Sequence, residues 1–308
     1  MGNTFFMPMI LCYYYMVEKK LKSMTKINNI YRFKQLAALI SISFFFFAAS
    51  FPASAATSTP YDNLGMSSAV LNASTGKFIA GKNENQVLPV ASLTKLMTAL
   101  VLLDLGTNFN TKVVITEAEV EYTAPYIAEG DVTSKIDLEA GDTVTKNDLW
   151  HAMLIASSNE AAAVLVNHSG VSMAQFVRKM NAKAKTLGLH QTKFTEPSGI
   201  DPKNVSTAKE MAIIARKAYA KSTISKASRQ PSYKCKELVT GRKINIYSRN
   251  NSLLAMKPVG MKVGYLTEAK MNAAIRLNKA GKDRVVVILH AANNSRRNKE
   301  INRLMASK

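Results

Sequence analysis

The chain has 308 residues, 47% of them apolar, enough for one large packed domain or two small ones. Its formal charge is +20, and the part after residue 55 is still strongly basic, which suits anionic partners: nucleic acid, phospholipid headgroups or acidic wall polymers. No Cys/His cluster and no His-Glu-x-x-His pattern points to a metal or cofactor, and the four histidines are scattered.

Leu36 to Ala49 is an apolar run shorter than the ~20 residues a helical membrane span needs. Arg32 and Lys34 precede it and Ala53-Ser54-Ala55 follows, the layout of a secretory signal peptide cleaved after Ala55. A single transmembrane anchor is the alternative. Initiation at Met24 gives a conventional leader over residues 24–55, so residues 1–23 read as an extension from a start placed too far upstream. Cys12 follows Leu11, which speaks against a lipoprotein. After cleavage only Cys235 remains, too few for an intrachain disulfide. Export moves nucleic acid down the list of partners and leaves an anionic envelope surface. The expected location is the periplasm or cell wall, soluble or peripherally associated.

Residues 56–64 form a short polar lead. Gly65 to Leu71 and Lys77 to Gly81 flank Asn72-Ala73-Ser74-Thr75-Gly76 and predict a β-hairpin. Pro89 then leads into a buried helix carrying Leu96, Met97, Ala99, Leu100, Val101 and Leu103, closed by Gly106. Residues 111–145 are irregular, with strand-like pieces at Lys112–Ile115 and Asp137-Leu138. Lys146 to Ala156 reads as a helix, Ser157-Ser158-Asn159 as a break, and Glu160 to Asn167 as a second helix. Ser172 to Leu187 is amphipathic and stops at Gly188. A loop over Phe194 to Asn204 precedes a capped helix running to Ala220. In the last third Lys243–Tyr247, Gly260–Tyr265, Asn272–Leu277 and Arg284–His290 read as strands, before a basic helix from Asn293 to Met305. Strands from both ends of the chain imply one α+β domain over residues 56–308, an antiparallel sheet flanked by helices with an inserted helical subdomain.

Ser92 and Lys95 stand at i and i+3 near the start of the first helix, so both side chains lie on one face. Burial lowers a lysine pKa and frees a lone pair, which can take a proton from a neighbouring hydroxyl and make it a nucleophile. Backbone N–H groups at a helix start can also stabilise an oxyanion. The motif is short: Ser23-Met24-Thr25-Lys26 repeats it, and a serine near a helix start followed by an ordinary surface lysine is the plain alternative.

Three pieces appear in order: Ser92-x-x-Lys95 opening a helix, Ser157-Ser158-Asn159 on a break, and Lys262-Val263-Gly264 on a strand. With Met180-Asn181-Ala182-Lys183-Ala184-Lys185, Phe194-Thr195-Glu196-Pro197-Ser198-Gly199 and Ser206-Thr207-Ala208-Lys209-Glu210, the sequence resembles the low-molecular-mass penicillin-binding proteins, the serine D-Ala-D-Ala peptidases, over residues 64–305. Ser248-Arg249-Asn250 is a second match to Ser-x-Asn. The resemblance implies a β-lactamase/DD-peptidase-like fold and no cofactor or metal. It implies peptidoglycan stem peptides as substrates and β-lactam antibiotics as acylating inhibitors. Ser92 is implied as the nucleophile, Lys95 as its general base and Ser157 as a proton relay toward the leaving amine. Asn159 would hold the substrate amide, and Lys262, with Arg297, the terminal carboxylate. The backbone N–H groups of Ser92 and Tyr265, the latter following Gly264, would form the oxyanion hole. Ser157 and Asn159 have a plainer reading as local caps of the following helix.

Three departures stand out. The family usually has Lys-Thr-Gly or Lys-Ser-Gly, and Val263 lacks the hydroxyl that meets the substrate carboxylate. Where the family commonly shows Ala-Gly and an aromatic, this chain has Ala269-Lys270-Met271. Glu196 is an acid where the family often has Asn. The leading reading is therefore an exported DD-carboxypeptidase or endopeptidase, with a lean to the shorter, endopeptidase-like members. A catalytically weakened or inactive wall-binding protein is the second reading. A β-lactamase, with Glu196 as a poorly matched water-activating group, is the third.

Overall fold

The five-residue turn Asn72–Gly76 starts the sheet. Asn72 accepts the Ser74 and Thr75 amides on its side chain, and Gly76 takes φ +77°, so β1 (Ser67–Asn72) folds back onto β2 (Phe78–Lys82). The structure, a computed structural model, describes residues 65–127 and 133–307. The expected extension (1–23) and leader (24–55) lie outside the described residues. Among the described residues no helix is long and apolar enough to cross a membrane.

A single 3₁₀ turn, Ala91–Leu93, opens helix α1 (Thr94–Asp104), which is buried from Thr94 to Leu102. Helix α2 (Lys146–His151) continues as a π-helical turn over Ala152–Ala156, and α3 (Asn159–Asn167) follows at once. Next come α4 (Met173–Thr186), capped by Ser172, then α5 (Ala208–Tyr219), capped by Thr207, and α6 (Ser222–Ser228). Strands β3 (Ser232–Lys236) and β4 (Lys243–Tyr247) form a hairpin of their own. The chain closes with β5 (Gly260–Leu266), β6 (Lys270–Lys279), β7 (Lys282–Ala291) and helix α7 (Asn294–Ala306).

The main sheet is antiparallel in the order β2-β1-β7-β6-β5, so the strand carrying Lys262 is an edge. Alternation along β7 explains why both faces are covered. Val286 and Ile288 turn toward α7, joining Ile301 and Leu304, whereas Val285, Val287 and Leu289 join Leu96 and Met97 of α1 and Met211 of α5. Each such side chain contributes about 1.5–3 kcal/mol when fully buried. The helices α1 to α4 sit between β2 and the later strands in sequence, as an inserted helical portion of an α+β fold.

Three local readings change. Asp137-Leu138 is not a strand; Thr143–Thr145 is, and it pairs with Lys112–Val114. Lys243–Tyr247 is a strand outside the main sheet, because its partner is Ser232–Lys236 and not a sheet edge. Ser158, whose hydroxyl accepts the Ala161 amide at 3.0 Å, caps α3 in place of Ser157 and Asn159.

Candidate active site

The residues before Ser92 are held from three directions. The Val90 amide donates to the Asn204 carbonyl, Asn272 donates its side-chain amide to the Pro89 carbonyl, and Ala91 takes φ +49° to turn into the 3₁₀ segment. This points the Ser92 hydroxyl back over the first turn of α1. Lys95 is fully buried there, and its Nζ donates to Ser92 Oγ at 3.0 Å, Asn159 Oδ1 at 2.7 Å and the Ser198 carbonyl at 2.6 Å. Burial pulls the Lys95 ammonium down to about 7, against the opposing pull of Glu196 and Glu160. Asn159 Oδ1 and the Ser198 carbonyl can only accept, so two of the three protons are committed. The proton that leaves is the one facing Ser92, because the hydroxyl alone can reverse its role and donate.

Ser157 takes φ +64° where the π-helical turn ends, a left-handed residue that breaks α2 from α3. Its Oγ receives the Lys262 Nζ at 2.7 Å. Burial holds the Lys262 amine well below its usual range, and the nearby cations Lys95 and Arg249 add to this. Strand β5 runs hard against Ser92. A Cβ at Gly264 would stand 3.0 Å from both the Ala91 Cβ and the Ser92 nitrogen, so the Ser92 amide and the start of the Gly264–Tyr265 step are neighbours.

These elements enclose a cleft of about 620 Å³. Ser92, Ser157, Asn159, Gly264, Tyr265 and Arg297 line it, whereas Lys95 and Lys262 lie behind its wall. Every site residue expected from sequence is therefore in one place. Arg297 is 1% exposed, and its Nη2 donates to Asn250 Oδ1 at 2.9 Å. Arg249 and Asn250 also line the cleft, although the sequence showed them only as a second Ser-x-Asn match. Glu196 is not one of the residues that line this cleft. It is 3% exposed, and its oxygens accept from Tyr122, Asn204 and the Ser198 and Gly199 amides.

The family model for D-alanyl-D-alanine carboxypeptidases, Peptidase_S11, matches residues 54–293. The chain belongs to this family. A D-alanyl-D-alanine endopeptidase of Escherichia coli (strain K12) is 33% identical over 60% of this chain and 57% of that protein. The D-alanyl-D-alanine carboxypeptidase DacF of Bacillus subtilis (strain 168) is 29% identical over 78% of this chain and 60% of that protein. The chain thus spans less than two thirds of the length of both relatives. The crystal structure of the Streptomyces K15 DD-transpeptidase superposes with a TM-score of 0.71 at 28% identity, over 77% of this chain and 94% of that one.

Two of the departures from the Peptidase_S11 pattern now have a position. Val263 lines the cleft between Lys262 and Gly264, half-buried against the core cluster of Ile275 and Ile288. Lys270 opens β6 opposite Leu266 at φ +52°, a conformation that suits the glycine commonly found there.

Proposed function

We propose that this member of the Peptidase_S11 family is an exported serine D-alanyl-D-alanine peptidase that acts on peptidoglycan stem peptides through an acyl-enzyme on Ser92. The observation that carries the reading is the 3.0 Å approach of Lys95 Nζ to Ser92 Oγ inside a cleft shared with Ser157 and Asn159. The neutral Lys95 amine takes the hydroxyl proton as Ser92 Oγ attacks the carbonyl carbon of the penultimate D-alanine. The backbone N–H groups of Ser92 and Tyr265 receive the negative oxygen. When the C–N bond breaks, Ser157 passes a proton to the departing amine. Water then attacks the ester, releasing the shortened peptide and restoring the serine. Asn159 holds the substrate amide, and Lys262 and Arg297 hold the carboxylate. A β-lactam enters the same path and stays on Ser92.

The domain assignment follows: a leader over residues 24–55 and a catalytic domain over 56–308, working in the periplasm or cell wall. The net charge of +20 supports contact with an anionic envelope surface. The lean toward crosslink cleavage is supported by endopeptidases of Escherichia coli, Haemophilus influenzae and Pseudomonas aeruginosa, 31–34% identical to this chain. Incubation with purified muropeptides and mass spectrometry of the products tests the reading. Loss of one alanine means carboxypeptidase, monomers from crosslinked dimers mean endopeptidase, and products that persist with Ser92→Ala would remove the nucleophile assignment.

A further inference from the structure

Glu196 carries no role in the chemistry above, yet few side chains in the molecule are as fully engaged. Its Oε2 accepts the Tyr122 hydroxyl at 2.7 Å and the Ser198 amide at 2.6 Å. Its Oε1 accepts the Gly199 amide at 2.5 Å and the Asn204 side-chain amide at 2.6 Å. Asn204 in turn accepts the Thr195 amide on its Oδ1 and, on its backbone carbonyl, the amide of Val90, two residues before Ser92. A carboxylate gripped by consecutive backbone amides fixes a turn as an Asx or capping motif does, and here the turn is Pro197-Ser198-Gly199. That turn meets α1 through its carbonyls. Its Ser198 carbonyl receives Lys95 Nζ at 2.6 Å, and its Pro197 carbonyl receives Thr98 Oγ1 at 2.6 Å, one turn further along α1.

We propose that Glu196 is a positioning residue for the Ser92–Lys95 pair: it clamps the carbonyl that receives Lys95 and sets a negative charge opposite the Lys95 ammonium. The inference rests on the peptidase reading for its consequence in catalysis, though not for its physical content. A buried lysine that must accept a proton from Ser92 needs an environment in which the resulting cation is tolerated. Burial works against that cation, and the Lys262 amine, facing Lys95 from β5, adds a like charge whenever it is protonated. Two carboxylates oppose these effects, Glu196 from the loop and Glu160 from α3, with Glu196 the stronger. The two differ in how they are held. Glu160 accepts the Ser158 hydroxyl on one oxygen, the other has no hydrogen-bond partner among the described residues, and Glu160 also faces Lys135. The Glu196 carboxylate is saturated by donors, which keeps its charge in a fixed place with no rearrangement as the proton arrives. The Tyr122 hydroxyl ties this clamp to the segment leading to Tyr126 and Ile127, which line the cleft, so the base and one cleft wall are held by the same carboxylate. Tyr126, which lines the cleft, also feels the charges of Glu196 and Asp201.

The test is an NMR titration of the lysine side chains in the full-length protein, with Lys95 assigned through Lys95→Ala, run beside the pH dependence of penicillin acylation. In the wild type Lys95, brought down by burial to about 7, is expected to titrate in that region. In Glu196→Gln the midpoint is expected to fall by about one unit, a tenfold change in proton activity, because a charge that favours the cation has gone. Glu196→Asp, which keeps the charge, is expected to stay close to the wild type. Glu196→Asn, the residue relatives often carry in this loop, is a second neutral variant should Glu196→Gln fail to fold. An unmoved Lys95 midpoint in the neutral variants, with only a lower melting temperature, would overturn the proposal and leave Glu196 a structural clamp. Because the titration is read without turnover, a protein whose Lys95 responds as described but which no penicillin acylates would support the inference and sink the peptidase reading.

Discussion

Gly199 lies directly against Ala91, the residue that turns the chain into Ser92: a Cβ at 199 would stand 2.0 Å from the Ala91 carbonyl oxygen and 2.9 Å from the Ser92 nitrogen. Both residues sit at positive φ, Ala91 at +49° and Gly199 at +84°, so each fits only because the other leaves room. Gly199→Ala therefore forces the backbone of Ser92 away from its place. The expected outcome is loss of penicillin labelling together with a destabilisation of roughly 2 kcal/mol or more, read as a fall in melting temperature of several degrees. Labelling at the wild-type rate would show that this contact does not hold the nucleophile.

The proton on Lys95 sets the direction of the pH response. The ammonium is brought down to about 7, and the neutral amine is the form that can accept from Ser92. Acylation should therefore rise with pH through that region and level off above it, instead of falling. Lys95→Arg keeps the charge but never releases its proton near neutrality, so it should abolish acylation at every pH at which the protein is folded. Stopped-flow acylation by a chromogenic penicillin measures both, and a rate that is flat from acid to neutral pH would remove Lys95 as the base.

At the start of β6 the backbone of Lys270 takes φ +52°, where a side chain crowds its own carbonyl. Replacing it with glycine relieves that crowding at the cost of a more flexible unfolded chain, a backbone gain of about 0.5 kcal/mol that is set against the contacts of the lysine side chain. Lys270→Gly should raise the melting temperature by one or two degrees in calorimetry with the acylation rate little changed. A lower melting temperature would mean that the lysine side chain contributes more than its backbone costs.

How much of this was legible before any coordinates depends on how locally each feature is written. Ser92 and Lys95 lie one helical turn apart, and β7 carries an unbroken run of Val, Ile and Leu, so the Ser92–Lys95 pair and the sheet centre could both be read from short windows. Strand β3 could not, because Lys234 and Lys236 take its exposed face and leave only Tyr233 and Cys235 inward. Thr143–Thr145 is too short to show a period. The cap of α3 went to Ser158 because the left-handed turn at Ser157 moves the helix start by one residue, which no propensity foretells. The Glu196 clamp was invisible because its donors arrive from Tyr122, far along the chain, and from Asn204 beyond the turn. Arg249 and Asn250 were hidden by looking like a chance repeat of a motif already assigned.

Val263 is the departure with the most direct bearing on activity. It lines the cleft between the buried Lys262 and Gly264, on the edge strand that abuts Ser92. Valine and threonine share a shape, and Val263 is only partly buried, so Val263→Thr should fold without strain. The new hydroxyl would give the substrate or penicillin carboxylate one more hydrogen bond, worth roughly 1.5–3 kcal/mol to a charged group. That corresponds to about a ten- to hundredfold gain in acylation efficiency, with the larger part in the binding term if the carboxylate is held equally in ground and transition states. Second-order acylation constants for the wild type and Val263→Thr decide it. Equal constants would mean that Lys262 and Arg297 already satisfy the carboxylate and that this chain has lost nothing by giving up the hydroxyl.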